Sequence, residues 1–189
     1  PRELDLLSLR GSIHGERGDL EAAIEDFEQC HQIHPKKIDI LITLGALYRK
    51  SNQKNKALEV FGKLIQLAPQ RLEFLIDRGA LLESMGRLES ALDDFDAVIE
   101  KSPEMSVAFL NRGIVHMKLN RPREAKADFE RSLDLGSVPD QVYLVFGELL
   151  SQMGEHDDAV KQFKTYLSRN PNSPHRKKIE AYLRTRENR

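Results

Sequence analysis

Cysteine occurs once in 189 residues, as Cys30. That excludes an internal disulfide framework and fits a reducing compartment, so the cytoplasm is the expected setting. No stretch of about 18 apolar residues is present, which excludes a membrane-spanning helix. Neither sign of charge dominates: Lys and Arg number 29 and Asp and Glu 30, for a net charge of −1. A nucleic-acid binder normally carries a clear basic excess, so that class is set aside. Phosphate-binding loop, nucleophile elbow and metalloprotease motif are all missing. Intrinsic catalysis is therefore not expected, and neither is a cofactor. The chain opens at Pro1 and enters a helical pattern within three residues, which reads as a segment of a longer protein.

What is present is periodic. Gly11, Gly45, Gly79, Gly113 and Gly147 recur every 34 residues without insertion or deletion. Ala23, Ala57, Ala91, Ala125 and Ala159 keep that step, as do Phe27, Phe61, Phe95, Phe129 and Phe163. A fourth column holds Pro35, Pro69, Pro103 and Pro171, with Ser137 in the missing place; a fifth holds Gly18, Asn52, Gly86, Asn120 and Gly154. Columns that agree over almost the whole chain predict a repeat array.

Each period reads as two amphipathic helices. Leu72, Leu75, Gly79 and Leu82 share one helical face; after Gly86, Leu88, Ala91, Leu92, Phe95, Val98 and Ile99 form a second stripe. Gly or Asn between them suits a left-handed helix end. Proline after the second helix stops it, and Pro122 fits a first helical turn. The glycine and alanine columns let two helices approach, with phenylalanine filling the space beside them. Leu7, Leu41, Leu75, Phe109 and Tyr143 start each unit with a large apolar group. No unit buries such stripes alone, so neighbours must stack.

These columns resemble the tetratricopeptide repeat family. The resemblance covers five units at 4–37, 38–71, 72–105, 106–139 and 140–173. It departs from the family where Leu, Phe or Tyr replaces Trp, and where Cys30 and Ser132 replace a small Ala. Arg78 and Arg112 stand before the glycine where Leu44 does elsewhere, and the joint around Ser137 and Pro139 is irregular. The resemblance implies an all-α fold, a right-handed superhelical α-solenoid of antiparallel helix pairs. Residues 174–189 break the period; Pro174 opens a predicted capping helix with an apolar face of Ile179, Tyr182 and Leu183 and a basic, solvated back.

Some constellations invite chemistry and are given structural roles instead. Cys30 and His34 are one turn apart near His31, but no second ligand pair lies near, so no metal site is assigned. Asp93, Asp94, Asp96, Asp157 and Asp158 are placed on the side each helix turns to water. His14 and His116 fall in the column of Tyr48, Leu82 and Leu150 and are expected to be partly buried.

For function, the resemblance implies a non-catalytic protein-interaction scaffold whose first helices line a concave groove. That places Asp39, Ile42, Ala46 and Arg49, then Glu73, Ile76, Ala80 and Glu83, then Leu110, Ile114, Met117 and Leu144 along the groove. Aliphatic anchors there suit an extended peptide or an amphipathic helix, with the acids favouring Lys or Arg on the ligand. A chaperone C-terminal tail does not fit: of the family's clamp of two Lys, two Asn and one Arg, only Asn111 finds a match. Two alternatives stand beside this reading. One is a self-assembling scaffold, suggested by thin capping at Leu4–Leu7; the other is the recruitment module of a larger enzyme.

Overall fold

The computed structural model describes residues 2–136 and 138–187. Ser137, the departure from the proline column, lies outside the described residues, as do Pro1, Asn188 and Arg189. Eleven α-helices and no strand occur among them. They are α1 (Arg2–Arg17), α2 (Leu20–Ile33), α3 (Ile38–Lys50), α4 (Lys54–Leu67), α5 (Glu73–Ser84) and α6 (Leu88–Lys101). There follow α7 (Ser106–Lys118), α8 (Pro122–Leu135), α9 (Gln141–Met153), α10 (His156–Arg169) and α11 (Arg176–Glu187). The chain forms two compact units, residues 1–94 and 95–189, with the boundary inside α6. In the first unit α1 packs on α2, α2 on α3, α3 on α4 and α4 on α5. In the second, α7 packs on α8, α8 on α9, α9 on α10 and α10 on α11.

The turns inside the hairpins follow from one residue each. Asn52 and Asn120 take φ of 61° and 57°, left-handed values that asparagine tolerates better than other residues with a Cβ. Gly18, Gly86 and Gly154 hold the same place at 87°, 74° and 82°. At the other end, α2, α4, α6 and α10 each stop two residues before Pro35, Pro69, Pro103 and Pro171, because proline pushes the residue before it out of helical conformation. Pro122 is the first residue of α8, where its missing N–H has no helical partner to lose.

The glycine column sets the closeness of the hairpin helices. A Cβ on Gly11, Gly113 or Gly147 would stand 2.9, 2.8 or 2.7 Å from the ring of Phe27, Phe129 or Phe163. Gly45 is slightly looser, at 3.3 Å from Phe61. All five alanines of the alanine column are fully buried, and all five phenylalanines are buried. Cys30 and Ser132 are buried too; the Ser132 hydroxyl donates to the Ser106 carbonyl at 2.8 Å, which makes a polar side chain tolerable there.

One expectation is overturned. Asp94 does not face water: it is 4% exposed and receives the guanidinium of Arg78, Nε to Oδ2 at 2.8 Å, with a second bond from Nη2. The same two-bonded pair joins Arg10 to Asp26 and Arg112 to Asp128, each with Nε donating at 2.9 Å. Asp26 and Asp128 are buried as well. The hydrogen bonds from Arg10 hold the Asp26 carboxyl below the usual carboxylate range against the opposing effect of burial. In the α3/α4 hairpin the same two positions are Leu44 and Val60, both buried; in α9/α10 they are Phe146 and Gln162. A bidentate ion pair and an apolar pair thus fill one place between the helices of a hairpin. Asp93, Asp96, Asp157 and Asp158 are exposed, and His14 and His116 are half-buried.

At the end of the second unit α11 starts at Arg176, two residues after Pro174. Ser173 and Pro174 belong to a turn in which the His175 N–H donates to the Ser173 hydroxyl at 3.1 Å. Ile179 is buried, and Tyr182 sets its ring edge-on to Phe163 with centroids 5.2 Å apart. The Tyr182 hydroxyl lies 2.9 Å from Nδ1 of His156. Arg176, Lys177, Lys178 and Arg184 are exposed.

Candidate protein-binding surface

The first helix of each hairpin keeps one side for its partner helix and leaves another free. On α3 the free side carries Asp39, Ile42, Ala46 and Arg49 at steps of three and four. Asp39, Ala46 and Arg49 are exposed and Ile42 is half-buried against the core. Arg49 donates from Nη1 to Asp77 Oδ1 of α5 at 2.9 Å, tying the exposed edges of the two helices together. On α5, Ile76, Ala80 and Glu83 are half-buried. Exposed Glu73 accepts from Arg71 Nε at 2.7 Å, and that bond holds its carboxyl below the ordinary value.

Between α1 and α3 lies an open cleft of about 390 Å³. Asp5, Ser8 and Ser12 line it from α1, Asp39 and Thr43 from α3, and Phe27 from α2. The Ser12 and Thr43 hydroxyls donate back to the carbonyls of Ser8 and Asp39, at 2.8 and 3.0 Å. Leu9, Ile40 and Lys37 complete the lining, so the cleft combines short polar side chains and two carboxylates with aliphatic groups and one base.

In the second unit the four residues expected along the groove, Leu110, Ile114, Met117 and Leu144, divide. Leu110 and Leu144 are 5% and 3% exposed and belong to the core with Phe129, Val142 and Phe146. They are core residues before they are surface residues, because they lie where α7, α8 and α9 pack together. Ile114 and Met117 are half-buried and pack on the same core. Leu144 also lines a cleft of about 400 Å³ whose other lining includes Glu148, Phe163, Lys178, Ile179 and Tyr182. Lys178 donates to Glu148 across its mouth at 3.1 Å. The contribution of α11 to this cleft is missing from the sequence reading, although the Ile179, Tyr182, Leu183 spacing carried the signal.

The described residues contain no group of three or more His, Cys, Asp or Glu side chains arranged to hold a metal ion. Cys30 is enclosed, its Sγ 3.9 Å from the Leu4 carbonyl, and burial pushes its thiol pKa up. Among the described residues no helix is long and apolar enough to cross a membrane.

Stacked helical hairpins with clefts along their free sides define a helical-repeat protein, one that works through the surface it displays. Tetratricopeptide repeat models match residues 4–37, 44–110 and 110–174, and the chain belongs to the tetratricopeptide repeat family. No curated protein sequence matches it. Among solved structures, a tetratricopeptide repeat protein from Parabacteroides merdae is similar over 97% of this chain and 74% of its own, at 20% identity and TM-score 0.79. MamA from Desulfovibrio magneticus RS-1, from its residue 41 to its end, is similar over 92% and 99%, at 18% identity and TM-score 0.78. Pseudomonas aeruginosa pilF is similar over 88% and 76%, at 24% identity and TM-score 0.73. At these identities the likeness is one of fold. Arrays of this family are generally non-catalytic scaffolds for protein–protein interaction.

Proposed function

We propose that this chain is an adaptor that binds an extended peptide or an amphipathic helix of a partner protein along the free sides of its first helices. One observation carries the reading: Asp39, Ile42, Ala46 and Arg49 follow one another along α3, with an aliphatic group and a small residue set between an acid and a base. The small residue admits a backbone, Ile42 gives an apolar contact, and Asp39 at one end sets direction, Arg49 at the other being paired with Asp77. Asp39 favours a ligand with Lys or Arg beside its aliphatic anchors, while Glu73 is already paired with Arg71. The cleft between α1 and α3 extends the same surface with Ser8, Ser12 and Thr43.

The test is selection from a displayed peptide library on the native chain, followed by titration of the selected peptides. The expected ligands carry aliphatic anchors flanked by a base. Ile42→Arg/Ala46→Arg should weaken them at least about tenfold, the loss that roughly 1.4 kcal/mol produces, while far-UV circular dichroism stays native. Equal binding by native and variant chains would show that recognition lies elsewhere. Leu110→Arg is unsuited to this test, since that side chain is buried.

A further inference from the structure

An open cleft of about 250 Å³ lies among α8, α9 and α10 of the second unit. Glu130 and Asp134 line it from α8, Phe146 and Leu150 from α9, and Asp158 from α10. Three periods earlier in the sequence, the places of Glu130, Leu150 and Asp158 are held by Glu28, Tyr48 and Lys56. There the acid is satisfied from within the chain. Glu28 accepts from the Tyr48 hydroxyl at 2.5 Å and from the Lys56 ammonium at 3.1 Å. The same ammonium lies 5.2 Å from the centre of the Tyr48 ring. In the later copy the acid stays, as Glu130, but an aliphatic group replaces the hydroxyl and a second carboxylate replaces the cation. The place that holds an ammonium among α2, α3 and α4 lacks one among α8, α9 and α10.

Neighbouring charges do not make up the difference. Lys126, which also lines the cleft, bonds Glu155 and lies 3.9 Å from Glu130. Asp158 pairs with exposed Lys161 at 2.8 Å, a surface contact of small worth. Asp134 has no ion-pair partner among the described residues, and Arg131, one turn before it, lies over the Phe109 ring instead. With these partners counted, the acids Glu130, Asp134, Asp158 and Glu155 stand against the bases Lys126 and Lys161. We infer that the cleft takes a lysine side chain of a partner protein, its ammonium set among Glu130, Asp134 and Asp158. Leu133 and Phe146 offer the apolar surface along which a lysine stem lies while its charge stays at a polar rim. The volume suits one side chain, since small-molecule sites usually run from about 300 to 1,000 Å³. A metal ion is the poorer fit, because the described residues hold no group of three acids arranged to bind one. A single charged contact adds specificity more than affinity. Because α8 and α10 are second helices, this contact stands apart from the peptide-binding reading, which uses α3 and α5.

Titration of the peptide acetyl-Gly-Lys-Gly-amide into the isotope-labelled full chain, followed by amide chemical shifts, tests it. The shifts should saturate, with a dissociation constant on the order of millimolar, and centre on Glu130, Asp134, Leu150 and Asp158. The same peptide acetylated at its lysine Nζ should leave those amides unmoved. Asp158→Lys places at this position the residue type of Lys56 and supplies the cation from the chain itself. It should weaken peptide binding at least about tenfold, the step that roughly 1.4 kcal/mol produces, with native circular dichroism, since Asp158 is exposed. Glu130→Gln/Asp134→Asn should weaken binding several-fold without adding a cation. No saturable shift, equal shifts from the acetylated peptide, or shifts spread over every acidic part of the surface would overturn the proposal. Undiminished binding by Asp158→Lys would overturn it too. If magnesium chloride moved the same amides at lower concentration than the peptide, the cleft would be a metal site and the lysine assignment would fall.

Discussion

Arg112 shows how much can rest on one side chain. It donates two hydrogen bonds to buried Asp128, one to exposed Asp96, and lies over the ring of Phe109 at 5.5 Å. Removing one member of a buried ion pair strands the other charge, and Asp128→Ala should cost about 3 kcal/mol, the low end for such losses because Arg112 keeps some solvent access. Replacing both members is a different matter. Arg112→Leu/Asp128→Val copies the apolar pair already present at Leu44 and Val60, and should return stability to within about 1 kcal/mol of native. Urea denaturation of the two single variants and the double closes the cycle; equal, additive losses would contradict it. The pairing was readable in principle: Arg10, Arg78 and Arg112 each precede an aspartate by 16 residues, on the step of 34. Read by helical face alone, Asp94 belonged to water, because periodicity ranks polarity and does not reveal that two polar groups neutralise each other.

Elements differ in how tightly their glycines bind them. In the α9/α10 hairpin a Cβ on Gly147 would meet the Phe163 ring at 2.7 Å, whereas one on Gly62, inside α4, meets nothing within 4 Å. Gly147→Ala should therefore destabilise by roughly 1–3 kcal/mol through overpacking. Gly62→Ala should stabilise by about 0.5–1 kcal/mol, since alanine loses less backbone freedom in a helix. Thermal denaturation followed at 222 nm, in which both substitutions moved the melting temperature the same way, would refute this distinction. At this scale the sequence was informative: the Asn52 and Asn120 turns, the stops before proline and the start of α8 at Pro122 all follow from local backbone preference. The surface was less legible. Ile42 and Leu144 stand in one column, yet Ile42 is half-buried and Leu144 is core, because enclosure depends on how neighbouring helices close and not on the residue's own pattern.

For the molecule as a whole, stability in a repeat array is close to a sum of unit and nearest-neighbour contributions. Deleting residues 174–189 removes Ile179 and Tyr182 from the second unit and uncovers Phe163. That should lower the unit's stability by roughly 2–3 kcal/mol, about one fully buried large side chain. Hydrogen exchange should then quicken in α9 and α10 while α1 to α4 keep their native protection; uniform loss of protection would mean that the chain unfolds as a single cooperative block. The arginine–aspartate pairs carry a separate consequence, for ancestry and engineering. Each hairpin holds both halves of its own match: Arg10 with Asp26, Leu44 with Val60, Arg112 with Asp128. A crossover that broke in the turn between two such helices would join an arginine to a valine, or a leucine to an aspartate, and strand a charge in the interior. One that broke between hairpins would carry both halves along. Chimeras of this array should accordingly tolerate exchange of whole hairpins and resist exchange of single helices.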